Sequence, residues 1–358
     1  MAVSKSTSWL GLLLSLLLLL YGPTTAHNPS LHSQQIILTK TGGFQIAGKT
    51  LPNPATNNLS ETLSCDHAYV EYFLPHQPRK TSIVLWHSSS TQVWQNRWDG
   101  GPGFKDLLLR RRYPVYLWDG PRVGRANWGC EPHTYTPAFG LDQANFVNWN
   151  FGARFMEWFS GLQFPTGDKE AWKQATSARY LEFDTFENVK FHAEAMATAA
   201  DSGKLGREIV YLTNSAGGFR AQLASTLSNS SNIKGIVAYE SFGYVFPDIE
   251  GLNLTTDTVG GFGPAVVPLE SFKRLARGLK FVQFIWGDHR AADHTMVAQS
   301  RKCAELINRF GGNAQVLMLN EDAGLKGNTH IPFADLNNEE VLRLVEDVLR
   351  KNRLDRFA

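Results

Sequence analysis

Short apolar runs alternate with helical lengths of chain from residue 82 onward, and this alternation constrains the fold more than any other feature of the sequence. The runs are brief and rich in β-branched and aromatic residues, which favours buried strands over helices. Strands separated by helices predict the α/β class, with a mostly parallel sheet and helices on both faces. The predicted strands are residues 82–87, 114–119, 208–213, 234–240, 280–286 and 315–320.

Helical patterns occupy residues 184–203, 218–229, 268–278 and 337–352. Upstream of the first strand, "QQIILTK" and "GFQIAG" are joined by Thr41-Gly42-Gly43, which predicts a β-hairpin turning at these residues.

Two gaps between strands are too long for simple crossovers. Residues 126–182 are rich in aromatic side chains, and residues 241–268 are rich in glycine. Long insertions at strand ends are where α/β folds build pockets and lids, so both are predicted to be cap-like. Most of the aromatic residues are expected to bury an accessory subdomain.

The first 26 residues have the pattern of a secretory signal peptide. Lys5 precedes a leucine-rich run from Trp9 to Tyr21, and "GPTTA" ends in small residues. This run is shorter than the roughly 20 residues that span a bilayer. We therefore expect cleavage near Ala26, a secreted domain over residues 27–358 and no stable membrane insertion after cleavage.

Secretion makes the cysteines and the glycosylation sequons informative. Cys65, Cys130 and Cys303 can form one disulfide and leave one thiol, but the sequence does not say which two pair. Sequons at Asn58, Asn229 and Asn253 predict a glycoprotein if the host is eukaryotic. The net charge of +2 gives no indication of a basic surface for binding nucleic acid. The oligomeric state stays unknown.

The stretch "IVYLTNSAGGFRAQLAS" (residues 209–225) places Ser215 between a predicted strand and a predicted helix. Such a turn lifts the serine oxygen clear of the sheet and exposes backbone N–H groups to a developing oxyanion. The turn needs small neighbours, which Gly217 and Gly218 supply. Thr213 is β-branched where a glycine is usual. Ser215 is the predicted nucleophile, with oxyanion donors at Ala216 and, in the loop after residue 87, at Ser88 or Ser89.

A general base is expected later in the chain than the nucleophile. His330 follows the last predicted strand, so its loop reaches the carboxyl edge of the sheet. The order serine, acid, histidine selects it over His87, His289 and His294. The residues alone leave three candidate acids, which are Glu240, Asp288 and Asp293. The segment "DHRAADH" (residues 288–294) is read as a solvated loop, and neither a metal nor a cofactor is predicted.

The order of "HSSS", "DGPRVGR", the serine turn, "WGDH" and "GNTH" resembles the α/β-hydrolase superfamily over roughly residues 35–352. Within it the chain is most similar to secreted bacterial and fungal esterases, whose "W-x-x-x-x-D-G-x-x-G-(F/W)-x-(D/E)" pattern corresponds to "WQNRWDGGPGFKD" here. Those esterases carry the triad acid as a glutamate after the sixth strand. The resemblance therefore implies Glu240, with Asp288 as the alternative acid or as a carboxylate that orients a loop.

The resemblance implies an extracellular carboxylic ester hydrolase that acts through an acyl-enzyme on Ser215. The aromatic insertion suggests a small-molecule substrate with an apolar or aromatic group. Lactone hydrolysis or acyl transfer would use the same machinery, and a non-catalytic binding module is the alternative from another class. The chain departs from the family at Ser88, where glycine generally follows the histidine, and at Thr213.

Overall fold

An eight-stranded sheet in the order β1-β4-β6-β5-β9-β10-β13-β14 forms the centre of the protein. The computed structural model describes residues 35–358 except 57, 88–89, 133, 181–184, 253, 255–262 and 291–293. The strands are β1 (Leu38–Ile46), β2 (Lys49–Asn53), β3 (Asn58–Cys65), β4 (Ala68–Pro75), β5 (Thr81–Trp86), β6 (Val115–Asp119), β7 (Gly152–Arg154), β8 (Glu157–Trp158), β9 (Glu208–Asn214), β10 (Ile233–Tyr239), β11 (Val245–Pro247), β12 (Ala265–Val267), β13 (Phe281–Trp286) and β14 (Ala314–Met318).

Helices connect most of the parallel strands. They are α1 (Gln92–Gln95), α2 (Phe104–Arg110), α3 (Leu141–Asn148), α4 (Lys169–Ser177), α5 (Phe186–Asp201), α6 (Ala216–Leu227), α7 (Leu269–Gly278), α8 (Thr295–Arg309), α9 (Leu319–Asp322) and α10 (Asn338–Lys351). A short 3₁₀ turn lies at Gly124–Ala126. Within the described ranges, no helix combines the length and the apolar character needed to cross a membrane.

The predicted fold class is confirmed. Each of the predicted apolar runs overlaps a strand, and β6, β5, β9, β10, β13 and β14 are parallel to one another. Only β4 runs against its neighbours β1 and β6 in this sheet. The four predicted helical patterns correspond to α5, α6, α7 and α10.

The predicted N-terminal hairpin is wrong, because β1 passes straight through Thr41, Gly42 and Gly43. This strand pairs with β4 along its length, with Gly42 opposite Tyr72. A Cβ on Gly42 would lie 2.6 Å from the Tyr72 hydroxyl, and one on Gly43 would collide with Tyr69. These glycines therefore make room for tyrosine rings of the next strand instead of forming a turn.

Alternating side chains of the parallel strands bury both faces of the sheet. Val84 and Trp86 belong to one core with helices α5 to α8, whereas Ile83 and Leu85 belong to a second core with α2 and α10. All four side chains are buried, as expected for a strand covered on both sides.

The first long insertion carries its own aromatic cluster, which joins the second core. The Phe146 ring lies 4.7 Å from Trp158 and 5.6 Å from Trp172 between ring centroids, and Phe151 lies 4.6 Å from Phe164. Phe146, Phe151 and Phe164 are buried. These rings therefore hold the insertion together and fix α3 and the segment after it against the sheet.

The disulfide joins Cys65 at the end of β3 to Cys130 at the start of the first insertion, and Cys303 is the buried free thiol on α8. Burial raises the pKa of the Cys303 thiol, so this group is held as the unreactive protonated form. The pairing that the sequence left open is thus resolved.

Removal of this disulfide should destabilise the fold, because the bridge closes a loop across 65 positions. Loop-closure entropy sets the expected loss in unfolding free energy at about 4 kcal/mol, as an upper value. Urea unfolding of the Cys303→Ala variant with and without dithiothreitol isolates the bridge. Equal unfolding midpoints after complete reduction would contradict this expectation.

Candidate active site

The carboxyl ends of four parallel strands finish at the same level of the sheet. Trp86 pairs with Thr213, and Asn214 pairs with Tyr239, which pairs in turn with Ile285. The loops that follow β5, β9, β10 and β13 therefore leave the sheet side by side. In an open parallel sheet this edge is where ligands bind.

Ser215 lies on the turn between β9 and α6 in a strained backbone conformation. Its φ is 52° and its ψ is −129°, which is unusual for a residue with a side chain. The turn is held from both sides, because the Ser215 N–H donates to the Tyr239 carbonyl at 3.0 Å and its carbonyl accepts from Gly218 at 3.0 Å and Phe242 at 3.1 Å. The side chain is partly exposed, whereas Asn214 and Ala216 are buried. The serine hydroxyl is thus presented at the strand edge.

Close packing on both sides of this turn accounts for the glycines that follow the serine. A Cβ on Gly217 would lie 2.8 Å from the Trp86 carbonyl oxygen, and one on Gly218 would collide with the Ser241 hydroxyl. Thr213 is accommodated because it still belongs to β9, where its hydroxyl donates to the Val237 carbonyl at 3.2 Å. The turn therefore forms without a glycine at position 213.

His330 is fixed through its backbone and through its ring. Its N–H donates to the Trp149 carbonyl at 2.8 Å, and its carbonyl accepts from the Asn214 side chain at 2.9 Å. The ring Nδ1 lies 3.3 Å from Glu240 Oε2, and the ring packs edge-on against Phe242. Asn214, which directly precedes Ser215, and Phe242, whose N–H donates to the Ser215 carbonyl, both contact His330, so the His330 loop lies beside the serine turn.

Glu240 is fully buried directly after β10 and has several donors. Oε1 accepts from the Gly287 N–H at 2.7 Å, and Oε2 accepts from Arg290 Nε at 2.9 Å. The Asn150 amide is a weaker contact at 3.5 Å. Burial opposes ionisation, but the hydrogen bond with His330 and the charge of Arg290 outweigh it and lower the pKa of Glu240. The carboxylate is therefore charged at neutral pH.

Asp288 binds the backbone of the histidine loop instead of the imidazole. Its two oxygens accept from the N–H groups of Gly327 at 2.8 Å and Asn328 at 3.1 Å. Of the three acids that the residues left open, Glu240 contacts His330, Asp288 shapes the preceding loop, and Asp293 lies outside the described residues.

A fully buried carboxylate, Asp335, also supports this loop. Asp335 accepts from the Thr329 N–H at 2.7 Å, the Thr329 hydroxyl at 2.8 Å and the Trp98 indole at 3.3 Å. Burial raises the pKa of Asp335 to about 7, although these donors act in the opposite direction. Residues 327–329 are thus held by Asp288 and Asp335 together.

Of the predicted oxyanion donors, Ala216 is described, and Ser88 and Ser89 lie outside the described residues. Ala216 is the first residue of α6, so its N–H has no acceptor within the helix. His87, which precedes the two serines, is buried with Nε2 3.3 Å from Asp119 Oδ1. Asp119 in turn binds Arg125 Nε at 2.6 Å. This chain of contacts fixes the start of the loop.

The predicted solvated loop at residues 288–294 is partly described. His289 stacks on Phe159 with ring centroids 4.0 Å apart, and His294 caps α8 by accepting from the Met296 N–H. In the part of the chain that the structure describes, no group of three or more histidine, cysteine or acidic side chains has the arrangement of a metal site.

Three contacts of this site were not predicted from the sequence, and they involve Asn214, Arg290 and Asp335. Asn214 directly precedes Ser215, so its position next to the serine was the available signal. Arg290 lies 50 positions after Glu240, and only the folded topology brings it to the carboxylate. Asp335 lies six positions after Thr329, so its place in the same loop was the available signal.

Comparisons with known proteins agree with this architecture. No protein-family model matches the chain. A protein named probable secreted lipase phiG, from Fungal sp. (strain ATCC 74256), is 23% identical over 327 residues, which cover 79% of this chain and 85% of that protein. A solved structure described as a novel bacterial esterase matches with a TM-score of 0.68 and 22% identity, and covers 89% of this chain and 98% of that one. The two chains share a fold.

Replacement of Thr213 by glycine should destabilise the protein even though it supplies the residue usual at this position. The change removes a buried hydrogen bond and adds backbone entropy to the unfolded chain, together about 1–3 kcal/mol. Urea unfolding measures the loss, and Thr213→Val, which replaces the hydroxyl by a methyl group and keeps the β-branch, separates the two causes. A Thr213→Gly variant more stable than the wild type would show that the threonine strains the turn.

Proposed function

We propose that this chain, which has the α/β-hydrolase fold, is a secreted serine hydrolase that cleaves small-molecule carboxylic esters. Ser215 is the proposed nucleophile, His330 the general base and Glu240 the acid that orients the imidazole. The observation that carries the proposal is the buried pair of His330 and Glu240 beside the strained serine turn, with 3.3 Å between Nδ1 and Oε2. No cofactor takes part in the proposed reaction.

The pair suits base catalysis because Glu240 accepts at Nδ1 and so leaves Nε2 as the basic nitrogen. Burial lowers the pKa of His330, while the hydrogen bond with Glu240 raises it in opposition. The neutral imidazole therefore persists into mildly acidic solution, where it can still take a proton from the serine.

The proposed reaction has two halves. The Ser215 oxygen bonds to the ester carbonyl carbon while its proton passes to His330 Nε2, and the tetrahedral intermediate collapses as the imidazolium returns that proton to the leaving alcohol. Water then attacks the acyl-enzyme, again losing a proton to His330, and the acid is released as Ser215 regains its proton. The negative oxygen of each intermediate is assigned to the Ala216 N–H and to N–H groups of Ser88 or Ser89.

The sequence and the fungal relative support secretion and an ester substrate. The relative is named a secreted lipase, and the leader at residues 1–26 of this chain has the pattern of a signal peptide. Asn229, one of the predicted glycosylation sites, is exposed. Residues 126–182 and 241–268 are the proposed cap over the serine.

Replacement of Ser215 by alanine should abolish hydrolysis of p-nitrophenyl esters, with kcat falling by about 10³-fold or more. Ser225→Ala is a matched control, because Ser225 is buried on the same helix and its hydroxyl donates to the Ala221 carbonyl. The control should keep wild-type kcat.

Equal hydrolysis by wild type and Ser215→Ala would refute the assignment of Ser215 as the nucleophile. A wild type inactive on esters of every chain length but active on lactones would redirect the proposal to lactone substrates, and inactivity on both would leave a binding module.

Glu240→Gln and Asp288→Asn should differ sharply in activity. Glutamine removes the charge that stabilises the imidazolium, so kcat should fall by about 10²–10⁴-fold. Asparagine at 288 keeps one acceptor for the loop, so kcat should fall by less than about tenfold while unfolding free energy decreases. Steady-state kinetics on one p-nitrophenyl ester compares them. A larger loss of kcat in Asp288→Asn would assign the triad acid to Asp288.

A further inference from the structure

Arg290 contacts the proposed catalytic acid but has no role in the reaction proposed above. Its Nε donates to Glu240 Oε2 at 2.9 Å, and its Nη2 donates to the Asn148 carbonyl at 2.7 Å. The same Glu240 oxygen lies 3.3 Å from His330 Nδ1. One carboxylate oxygen is thus shared by a permanent cation and by the imidazole, and the cation is itself largely buried, with 11% of its side chain exposed.

This arrangement links the first insertion to the histidine through consecutive residues. Asn148 accepts from Arg290, Trp149 accepts from the His330 N–H, and Asn150 contacts Glu240. Arginine can make this connection because its planar guanidinium presents several donors in fixed directions. A lysine ammonium at the same place has one nitrogen for two acceptors that lie apart.

We propose that Arg290 is a positioning residue with two effects. It determines the lowest pH at which His330 can act as a base, and it holds the first insertion against the pair of His330 and Glu240. The proposal rests on the proposed function. A guanidinium that shares an oxygen with the imidazole disfavours the imidazolium, and it also keeps Glu240 in place and charged. Both effects follow from the same two hydrogen bonds.

The charge of Arg290 is the cationic contribution closest to the pair. It lowers the pKa of His330 in the same direction as burial, whereas Glu240 raises it. The other charged or titratable groups facing His330 or the segments packed on it are Asp335 on the loop that carries it, Asp288 and His289 on the loop after β13, and Arg179 over the Trp149 ring.

The sign of the expected effect follows from the need for a neutral imidazole. If the positive charge at residue 290 is removed, the imidazolium becomes less unfavourable and the pKa of His330 rises. The acid limb of kcat/KM should then move to higher pH by about 0.5 to 1 unit. In the wild type this limb should lie below pH 6.5, the ordinary value for histidine.

The test compares Arg290→Gln, Arg290→Lys and the wild type in pH profiles of kcat/KM and kcat on a p-nitrophenyl ester. Arg290→Gln should show the shifted limb. Arg290→Lys should keep the wild-type limb to within about 0.2 units because it keeps the charge, but lose kcat by about two- to tenfold because one ammonium cannot hold both acceptors. Arg111→Gln is the control, since Arg111 is a buried arginine directly after α2 that forms an ion pair at 2.7 Å with Glu346 on α10.

An acid limb in Arg290→Gln that coincides with the wild type overturns the proposal, and so does an equal shift in Arg111→Gln. If Arg290→Gln does not fold, the Arg290→Lys variant alone tests the proposal. A wild-type kcat in this variant would refute the role of Arg290 in holding the insertion. An acid limb at higher pH than in the wild type would refute the role of the charge.

A separate measurement distinguishes this proposal from failure of the proposed function. In enzyme labelled with ¹⁵N-histidine and carrying Ser215→Ala, the His330 imidazole is titrated by NMR with Arg290 or glutamine at position 290. A wild type that hydrolyses no ester refutes the proposed function, and the NMR midpoint still tests Arg290. A higher midpoint with glutamine supports the proposal, and equal midpoints refute it.

Discussion

The buried carboxylate of Glu240 is the constraint on which the rest of the site depends. A charge without contact to solvent is costly unless it is paired and hydrogen-bonded, and Glu240 meets this requirement through Gly287, Arg290 and His330. Gly287 and Arg290 come from the loop after β13, and His330 comes from the loop after β14 and α9. The hydrogen bonds that stabilise this one buried carboxylate therefore bring together loops that are distant in sequence. A side chain on Gly287 would crowd this site, since a Cβ would lie 3.0 Å from the Asn328 carbonyl and 3.3 Å from Glu240 Oε1.

Strained backbone conformations occur directly after the neighbouring strands β9 and β10, at the carboxyl edge of the sheet. Ser215 has a φ of 52° and Glu240 a φ of 47°, and each costs of order 1–3 kcal/mol. The strain is held by hydrogen bonds between the two turns, from the Ser215 N–H to Tyr239 and from the Phe242 N–H to Ser215. The glycines after the serine allow the sheet and the helix to approach closely enough for these bonds to form. Glu240, which follows the second of these strands, reaches His330 Nδ1 with Oε2 at 3.3 Å.

Prediction from sequence succeeded where the local sequence pattern itself determines the structure. Apolar runs such as 208–213 become buried strands because the sheet is covered on both faces, and the serine turn follows because a strand must pass into a helix there. The hairpin at Gly42 was wrong because a glycine signals either a turn or a close contact, and the tyrosines of β4 decide between them. The pairing of Cys65 with Cys130 and the contacts of Arg290 depend on which loops meet, which no local pattern encodes.

Glu240 and Asp288 show how position in the fold assigns different tasks to similar side chains. Both are acidic residues just after parallel strands, and spacing along the chain does not distinguish them. β10 lies next to β9, whereas β13 is one strand further away. Glu240 therefore starts beside the serine turn and reaches the imidazole, while Asp288 reaches the backbone N–H groups of Gly327 and Asn328. One carboxylate thus contacts the ring and the other holds the loop that carries it.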